Sequence, residues 1–320
     1  MKKFKVLVLE GGGVKGLLAV LILKEVERLT GKKVHQLFDL IVGTSTGGLI
    51  ASALTASRFG YEPSLNIEDL ENIYMNETQA IFPQKGFIQD LRALFTSRYS
   101  TKPRSKVFKN YLKEFKLSST LVPIIIPSYD LEENQPIFFK TRYTDETKKD
   151  PLLYDICMAA SAASTYFKPH RFNYDGRDVR CIDAGLYINN PSLAAIFELS
   201  KHYKEYGLDE YSSEDMMMLS IGAGIGSIKP KHKDRWGTVR LIGDVIKVMF
   251  NGQARTTEYG ITELLTPGNY LRVEFQLDPE HSEMDNSSPE NMEYLADAAE
   301  RYLDYNHETV INFLRTAEMI

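Results

Sequence analysis

A serine lies at the centre of a segment whose spacing is typical of an activated nucleophile. Ser45 stands in Gly43-Thr44-Ser45-Thr46-Gly47, a G-x-S-x-G sequence with an apolar run before it and small, helix-forming residues after it. Such a nucleophile elbow holds the serine on a strained turn, so that its oxygen projects from the sheet. Gly43 and Gly47 support the turn because strand and helix nearly collide there. The pattern favours nucleophilic chemistry at Ser45, and the alternative is a turn that only packs a helix on a strand.

A serine nucleophile needs a base, and Asp183 is the best-placed candidate. It directly follows the apolar run Val179–Ile182, where a strand is expected to end and a turn to begin. A triad of serine, acid and histidine is the alternative, but none of the six histidines lies in a recognisable glycine-flanked turn or strand end. The other interpretation of Asp183 is an Asx turn that leads into a helix beginning at Pro191.

A second glycine turn, residues 11–16, reads Gly-Gly-Gly-Val-Lys-Gly between a predicted strand and a predicted helix. It has the spacing G-x-G-x-x-G, but a dinucleotide site also needs an acid after the next strand, and Asp39 precedes that strand instead. A phosphate-binding P-loop fails too, because Leu17 stands where its lysine should be. What remains is a set of backbone N–H groups at the positive end of a helix, which suits a developing oxyanion. A tight turn that needs glycine for positive φ is the alternative.

The elements that position these motifs follow from the apolar pattern. The apolar runs Phe4–Leu9 and Phe38–Val42 end at the two glycine turns, and a helical pattern follows each turn. Further strands are predicted at Val122–Pro127, Ile137–Phe139, Val179–Ile182 and Met217–Ile221, with helices at 152–163, 191–204 and 289–316. This alternation predicts an α/β fold with a mostly parallel central sheet and helices on both faces. Ligands bind such sheets at the carboxyl ends of the strands, where both glycine turns fall.

Composition excludes several classes of protein. Of 320 residues, 43% are hydrophobic and 25% are charged, which is typical of a globular domain and not of a disordered or collagen-like chain. Cys157 and Cys181 are the only cysteines, too few for a disulfide framework or a Cys-rich zinc site, so we expect a reducing cytoplasm. A net charge of −5 gives no overall attraction to DNA or RNA. No linker composition divides the chain, so residues 1–320 are predicted to form a single domain.

Neither a signal peptide nor a transmembrane helix is expected. The basic start is followed by an apolar run of only four residues, Val6–Leu9, which is too short for the core of a signal peptide. The longest uncharged window, residues 40–57, contains three glycines and six serines or threonines, so it does not predict a membrane-spanning helix.

Charge is distributed unevenly along the chain. Residues 85–116, called the basic segment below, carry nine Lys or Arg against two acids, which gives a net charge of +7, whereas residues 278–308 carry ten acids against Arg301 alone. Apolar residues recur at helical spacing inside the basic segment, namely Phe87, Ile88, Leu91, Leu94 and Phe95. One interpretation is an amphipathic, cationic surface for anionic lipid. The other is a helix packed on the core with a basic, solvated outer face.

Together the motifs resemble those of the patatin-like phospholipase family, whose markers are D-G-G-G-x-R/K-G, G-x-S-x-G and D-G-G/A. Here they stand at residues 10–16, 43–47 and 183–185, and residues 160–169 resemble the family's A-S-x-A-x-x-x-F-x-P stretch. The resemblance runs from Phe4 to about Gly224, with residues 284–303 similar to the family's closing helix. Two residues depart from the pattern. Glu10 replaces an aspartate, expected to alter only a loop-supporting hydrogen bond, and Ala184 replaces a glycine, which removes some backbone freedom.

The resemblance implies a three-layer patatin-like fold and a Ser–Asp dyad that hydrolyses lipid esters without a cofactor or metal. Ser45 would attack the ester carbonyl and Asp183 would take its proton. The oxyanion hole would come from the backbone N–H groups of Gly11, Gly12, Gly13 and Val14, and the catalytic motifs would fall within residues 10–224. An ordinary aspartate, with a pKa of about 3.9, is a weak base at neutral pH, so the site must raise that pKa.

Substrate and partners are also implied by the resemblance. A membrane phospholipid or lysophospholipid is the expected substrate, reached by peripheral membrane contact from the cytoplasm. Similar compact patatin domains include bacterial antiviral effectors that cyclic oligonucleotides activate. Binding of such an anionic activator is therefore a second interpretation of the cations in the basic segment. A further group of cations, with the only tryptophan, follows Gly224: Lys229, Lys231, Lys233, Arg235, Trp236 and Arg240. DNA and RNA polymers are not expected partners. The sequence leaves open whether the chain forms a homo-oligomer. The alternative to an enzyme is a non-catalytic protein whose glycine turns hold an anion or nucleotide.

Overall fold

A computed structural model gives the fold of the chain and describes residues 3–83, 97–147, 149–226 and 241–320. The strands in these residues are β1 (Phe4–Leu9), β2 (Leu40–Gly43), β3 (Ile124–Asp130), β4 (Gln135–Lys140), β5 (His170–Tyr174), β6 (Arg177–Asp183), β7 (Met216–Ile221), β8 (Ile225–Gly226), β9 (Tyr270–Val273) and β10 (Gln276–Leu277).

The α-helices in the same residues are α1 (Gly16–Thr30), α2 (Val34–Leu37), α3 (Thr46–Thr55), α4 (Ile67–Ile81), α5 (Thr101–Leu112), α6 (Arg142–Thr147), α7 (Leu153–Ala160), α8 (Gly185–Ile188), α9 (Ser192–His202), α10 (Leu241–Leu264) and α11 (Pro289–Thr316). Within the described residues, no helix is both long enough and apolar enough to cross a membrane.

A large central sheet, mostly parallel, organises the fold. Its strand order is β5-β6-β3-β2-β1-β7-β9, and β4 also pairs with β3. The five strands from β3 to β9 in this order are parallel to one another. The remaining pairs, β3–β4, β3–β6 and β5–β6, are antiparallel. The α/β class with a mostly parallel sheet is therefore confirmed, and the antiparallel strands all lie on the β3 side.

Helices cover both faces of this sheet because side chains alternate along each strand. Val6 and Val8 of β1 are buried on one face, in an apolar cluster with residues of α9 and α10. Leu7 and Leu9 are buried on the other face, in a larger cluster that includes residues of α1, α3, α4, α5, α7 and α11. The two glycine turns lie side by side, because β1 and β2 are parallel neighbours in which Leu9 is opposite Gly43.

Two strands that lead to the predicted site share one edge of β3. β4 pairs with β3 from Ile125 to Asp130 and so occupies one edge. β2 pairs with β3 at Ile124 and Ile125, and β6 pairs with it from Ser128 to Asp130. Both must lie on the opposite edge, where β2 and β6 approach each other end to end. Two residues of β3, Ile126 and Pro127, lie between the two paired stretches, so the gap between β2 and β6 along β3, from Ile125 to Ser128, is three residue steps, roughly 10 Å.

Asp183 reaches the site by a route that differs from the expected one. The sequence correctly predicts the strand that precedes Asp183. The expectation that sites form at the carboxyl ends of parallel strands, however, assumes that this strand runs in the same direction as β2. β6 instead runs antiparallel to β3, and its last residue, Asp183, is opposite Ser128. The aspartate therefore enters the gap at the end of β2 from the far side, facing the turn that carries Ser45.

Part of the basic segment can be placed. Lys102, Lys106 and Lys109 are exposed on α5, while Val107 and Phe108 of the same helix are buried, so α5 packs on the core with a basic outer face. Arg104 is the exception, because it is buried. The apolar residues 87–95, and the cations and tryptophan at 229–240, lie outside the described residues.

Candidate active site

The turn between β2 and α3 has the strained geometry of an elbow. Ser45 has φ 53° and ψ −121°, a positive-φ conformation that is rare for a residue with a side chain. The N–H groups of Gly47 and Gly48 donate to the carbonyls of Thr44 and Ser45, which closes the turn into the helix. A Cβ on Gly47 would lie 2.3 Å from the carbonyl oxygen of Leu9. Only glycine permits this approach between α3 and β1.

Ser45 and Asp183 are in direct contact. Ser45 Oγ donates a hydrogen bond to Asp183 Oδ2 at 2.5 Å. The other carboxylate oxygen, Oδ1, accepts from the backbone N–H of Gly185 at 2.8 Å. The backbone N–H of Asp183 donates to the carbonyl of Ala162 at 3.1 Å. These bonds fix the carboxylate with one oxygen facing the serine.

Burial changes the acidity of this carboxylate. It raises the pKa of Asp183 from 3.8 to about 6, against the opposing effects of the hydrogen bonds from Ser45 and Gly185 and of the nearby Arg104 charge. Water is excluded from the ionised form, so that form is disfavoured relative to an exposed aspartate. The result is a carboxylate that is still ionised at neutral pH but binds a proton more strongly than usual, as a general base requires.

The glycine turn adjoins this pair, with one difference from expectation. The backbone N–H of Val14 donates to the carbonyl of Met284 at 3.0 Å, so it is already engaged. The N–H groups of Gly11, Gly12 and Gly13 have no acceptor in the part of the chain that the structure describes. These three glycines line one cavity with Ser45. Of the four predicted oxyanion donors, Val14 is thus the one directed elsewhere.

The two departures from the family pattern have clear structural settings. Glu10 is buried and forms an ion pair with Arg272 of β9 at 2.7 Å. Arg272 also donates to Ser220 of β7 at 3.0 Å. Burial raises the pKa of Glu10 to about 7, although Arg272 lowers it. The expectation that Glu10 alters only a loop hydrogen bond is therefore too narrow, since its carboxylate pairs with an arginine of β9 that also bonds to β7. Ala184 has φ −79° and ψ −9°, which suits alanine without strain.

A mostly apolar cavity opens beside Ser45 and Asp183. It has about 1050 Å³ of empty space, including its open mouth, and is lined by Ser45, Asp183 and the glycine turn together with apolar side chains of α3, α4 and α5. Leu49, Ile73 and Phe108 are examples of that lining. The mostly apolar lining suits an extended apolar ligand, and Ser45 and Asp183 contribute polar groups to it. The arrangement can therefore hold an acyl chain against a serine–aspartate pair.

The described histidines lie outside this arrangement. No histidine in the described ranges lines the cavity, and His170 instead contacts Asp155 at 2.9 Å. His232 lies outside the described residues. Sequence reasoning missed other residues that line the cavity, among them Arg104, Phe250 and Met284. Met284 begins the stretch 284–303 that resembles the family's closing helix, and this resemblance is the sequence signal that could have linked it to the site.

Comparisons with known proteins agree with the motifs. A family model described as patatin-like phospholipase matches residues 7–196. Patatin-like protein 2 of Oryza sativa subsp. indica is 30% identical over 96% of this chain and 85% of that protein. Patatin-T5 of Solanum tuberosum is 28% identical over 93% and 83%, respectively. Another Solanum tuberosum relative, 28% identical over 95% and 88%, carries the name probable inactive patatin-3-Kuras 1.

Among solved structures, VipD from Legionella pneumophila matches 95% of this chain and 67% of that one at 12% identity, with a TM-score of 0.40. This similarity is too weak to support an inference about the site.

Proposed function

Because the chain belongs to the patatin-like phospholipase family, whose members are lipid acyl hydrolases, we propose that it cleaves phospholipid esters with Ser45 as nucleophile and Asp183 as base. The observation that carries this proposal is the 2.5 Å hydrogen bond between the two side chains. Family membership alone is insufficient, since one relative is named as probably inactive. An intact dyad beside an apolar cavity supports activity in this chain.

In the first half of the reaction, Ser45 Oγ attacks the carbonyl carbon of the ester while Asp183 Oδ2 accepts its proton. The carbonyl oxygen becomes an oxyanion, and the free N–H groups of Gly12 and Gly13 donate to it. The C–O bond to the alcohol then breaks. Protonated Asp183 gives its proton to the departing alcohol oxygen, and the acyl group stays on Ser45.

In the second half, a water molecule attacks the acyl carbon and Asp183 accepts one of its protons. The same N–H groups stabilise the second oxyanion. Ser45 Oγ then leaves and takes the proton back from Asp183, which restores the starting state and releases a fatty acid. One carboxylate thus acts as base and then as acid in each half, and a pKa near neutrality suits both roles.

The cavity supports a long acyl chain as the part of the substrate that the protein encloses. Its wall beyond the dyad is apolar, with Leu70, Ile81 and Leu112 among its lining residues. Transfer of each methylene from water into such a lining contributes roughly 0.8 kcal/mol. We therefore expect kcat/KM to rise with acyl-chain length until the chain fills the cavity.

A labelling experiment tests the proposal and separates it from a non-catalytic protein that only holds an anion. A fluorophosphonate probe should modify Ser45, identified by peptide mass spectrometry, and a mixed phospholipid panel should release fatty acid. Ser45→Ala and Asp183→Ala should each abolish the release, while Ser200→Ala, which removes a hydroxyl that bonds only its own helix, should leave it intact. Absence of both labelling and release would refute the proposal. Activity retained in Asp183→Ala but lost in a histidine variant would replace the dyad by a triad.

Peripheral contact with anionic membranes is also proposed, with α5 as the surface. Lys102 and Lys106 are exposed there, whereas the buried Arg104 cannot take part. The double variant Lys102→Glu/Lys106→Glu should weaken binding to liposomes that contain anionic lipid and should leave binding to neutral liposomes unchanged. Binding that ignores both the anionic lipid and the charge reversal would refute this surface.

Activation by a cyclic oligonucleotide is proposed on the basis of the cations that follow Gly224. Titration with cyclic dinucleotides should raise the unfolding temperature and the rate of fatty-acid release. Ligands that change neither quantity would count against an activator of this class.

A further inference from the structure

An arginine lies inside the wall of the substrate cavity. Arg104 is in the first turns of α5 and is 1% exposed. Its guanidinium lies over the ring of Phe167, 4.1 Å from the centroid. Nη1 donates to the carbonyl of Ser161 and, at 3.3 Å, to its hydroxyl. The side chain lines the same cavity as Ser45 and Asp183.

Only one edge of this guanidinium is satisfied. Nε and Nη2 are buried and have no hydrogen-bond partner among the described residues. These two nitrogens are cis to each other, so their N–H bonds point the same way and form the fork that binds two oxygens of a carboxylate or phosphate. A buried charged donor without a partner is costly. The unsatisfied edge of Arg104 is thus shaped for an oxyanionic ligand.

Among the described residues, no side chain supplies that ligand. Asp183 is the carboxylate whose charge acts on Arg104, but both of its oxygens bond elsewhere, to Ser45 and to the backbone of Gly185. Burial lowers the pKa of Arg104 to about 10, so the guanidinium stays protonated at neutral pH. A positively charged side chain is therefore part of the wall of a mostly apolar cavity.

We propose that Nε and Nη2 of Arg104 form an anion subsite of the cavity, which binds two oxygens of a phosphate or carboxylate group on an acyl-chain ligand. The identification of the ligand as a lipid rests on the proposed function. Two sources supply the required chemistry, the phosphate of a phospholipid or lysophospholipid substrate and the carboxylate of the released fatty acid. In the first case Arg104 selects the substrate, and in the second it retains the product.

Binding of three probes with the same alkyl chain tests the subsite without turnover. Decyl phosphate, decanoate and 1-decanol are titrated into the Ser45→Ala protein at pH 8 by calorimetry. We expect at least one anion to bind roughly 10- to 100-fold more tightly than 1-decanol, as hydrogen bonds to a charged group allow. Preference for decyl phosphate assigns the subsite to the lipid phosphate, and preference for decanoate assigns it to the product.

Variants at Arg104 supply the decisive comparison. In the Ser45→Ala background, Arg104→Met should abolish the anion preference and keep the affinity for 1-decanol within about twofold, since methionine retains an apolar stem of similar length. Arg104→Lys keeps the charge but loses the paired N–H donors, so it should give an intermediate preference for the anions over 1-decanol. This variant replaces Arg104→Met in the comparison if Arg104→Met does not fold. Equal affinities for all three probes, or an anion preference that survives both substitutions, would overturn the proposal. Fluorophosphonate labelling of the wild type reports the dyad separately, so failure of hydrolysis and failure of the subsite are distinguishable.

Discussion

The raised pKa of Asp183 has a direct consequence for the pH dependence of catalysis. If Asp183 is the base, as proposed above, it must be ionised to accept the proton of Ser45, so kcat/KM should follow the ionised fraction of Asp183 in the free enzyme. With a pKa of about 6, that fraction is roughly 90% at pH 7 and about 10% at pH 5. We therefore expect kcat/KM to fall about tenfold between these values. An aspartate with its ordinary pKa would remain ionised at pH 5, and the rate would hardly change.

The assay follows release of fatty acid from a soluble short-chain ester by chromatography, which avoids a chromophore that itself titrates. Circular dichroism at each pH checks that the protein stays folded. A flat rate between pH 5 and pH 7 would refute a buried aspartate as the base.

A second buried carboxyl could imitate this profile, so it needs a matched control. Burial raises the pKa of Glu10 to about 7, close to the glycine turn. Glu10→Gln keeps the size of the side chain and removes its titration. If Asp183 controls the acid limb, the midpoint should stay near pH 6 in this variant even where the rate changes. Loss of the limb in Glu10→Gln would assign the pH dependence to the Glu10–Arg272 pair instead.

Three further predictions concern stability and steric fit. The folded-state pKa of Asp183 exceeds its unfolded value, so the free energy of unfolding falls as pH rises from about 4 to 6. Asp183→Asn should therefore raise the free energy of unfolding by up to about 3 kcal/mol at pH 8 and by less at pH 4. An equal gain at both pH values would contradict burial of an ionised carboxylate as the cause. A Cβ on Gly12 would lie 2.4 Å from Cβ of Ala223, so Gly12→Ala should abolish hydrolysis, and Gly12→Ala/Ala223→Gly should recover part of it; no recovery would exclude that clash as the cause. Ala53 lines the cavity, so Ala53→Leu should raise KM for long-chain esters and leave KM for short-chain esters unchanged. The melting temperature of the variant is the control for folding. An equal effect on long-chain and short-chain esters would place the acyl chain outside this cavity.

Local patterns predict the parts of the site that depend on local backbone geometry. The elbow around Ser45 and the glycine turn need particular residues at fixed spacing, because a strained turn and a close approach admit few alternatives. Asp183 could be found because it ends an apolar strand. The direction of β6 could not, since an apolar run specifies burial but not which strand it pairs with or in which sense. The same run would suit a parallel or an antiparallel partner.

Other features carry no local signal. The contact between Val14 and Met284 uses a backbone carbonyl, which any residue could provide, across a separation of 270 positions. Arg104 stands among lysines that are exposed, and the charge pattern predicts a solvated face for all of them. Its burial depends on how α5 packs beside α7 and the stretch that contains Phe167. Such tertiary choices override residue type, and only the assembled fold reveals them.

The shared edge of β3 sets the distance between Ser45 and Asp183. β2 and β6 pair with β3 at fixed positions, so the number of β3 residues between these positions determines how far Asp183 lies from Ser45. The residues of β3 belong to none of the three motifs. Deleting one residue between Ile125 and Ser128 would shift the β6 register by roughly 3.3 Å and invert the side-chain alternation. Every motif would remain legible in the sequence, yet Asp183 would no longer reach Ser45. Length variation in this strand is therefore a means by which a relative can lose activity while keeping its serine, its aspartate and its glycines.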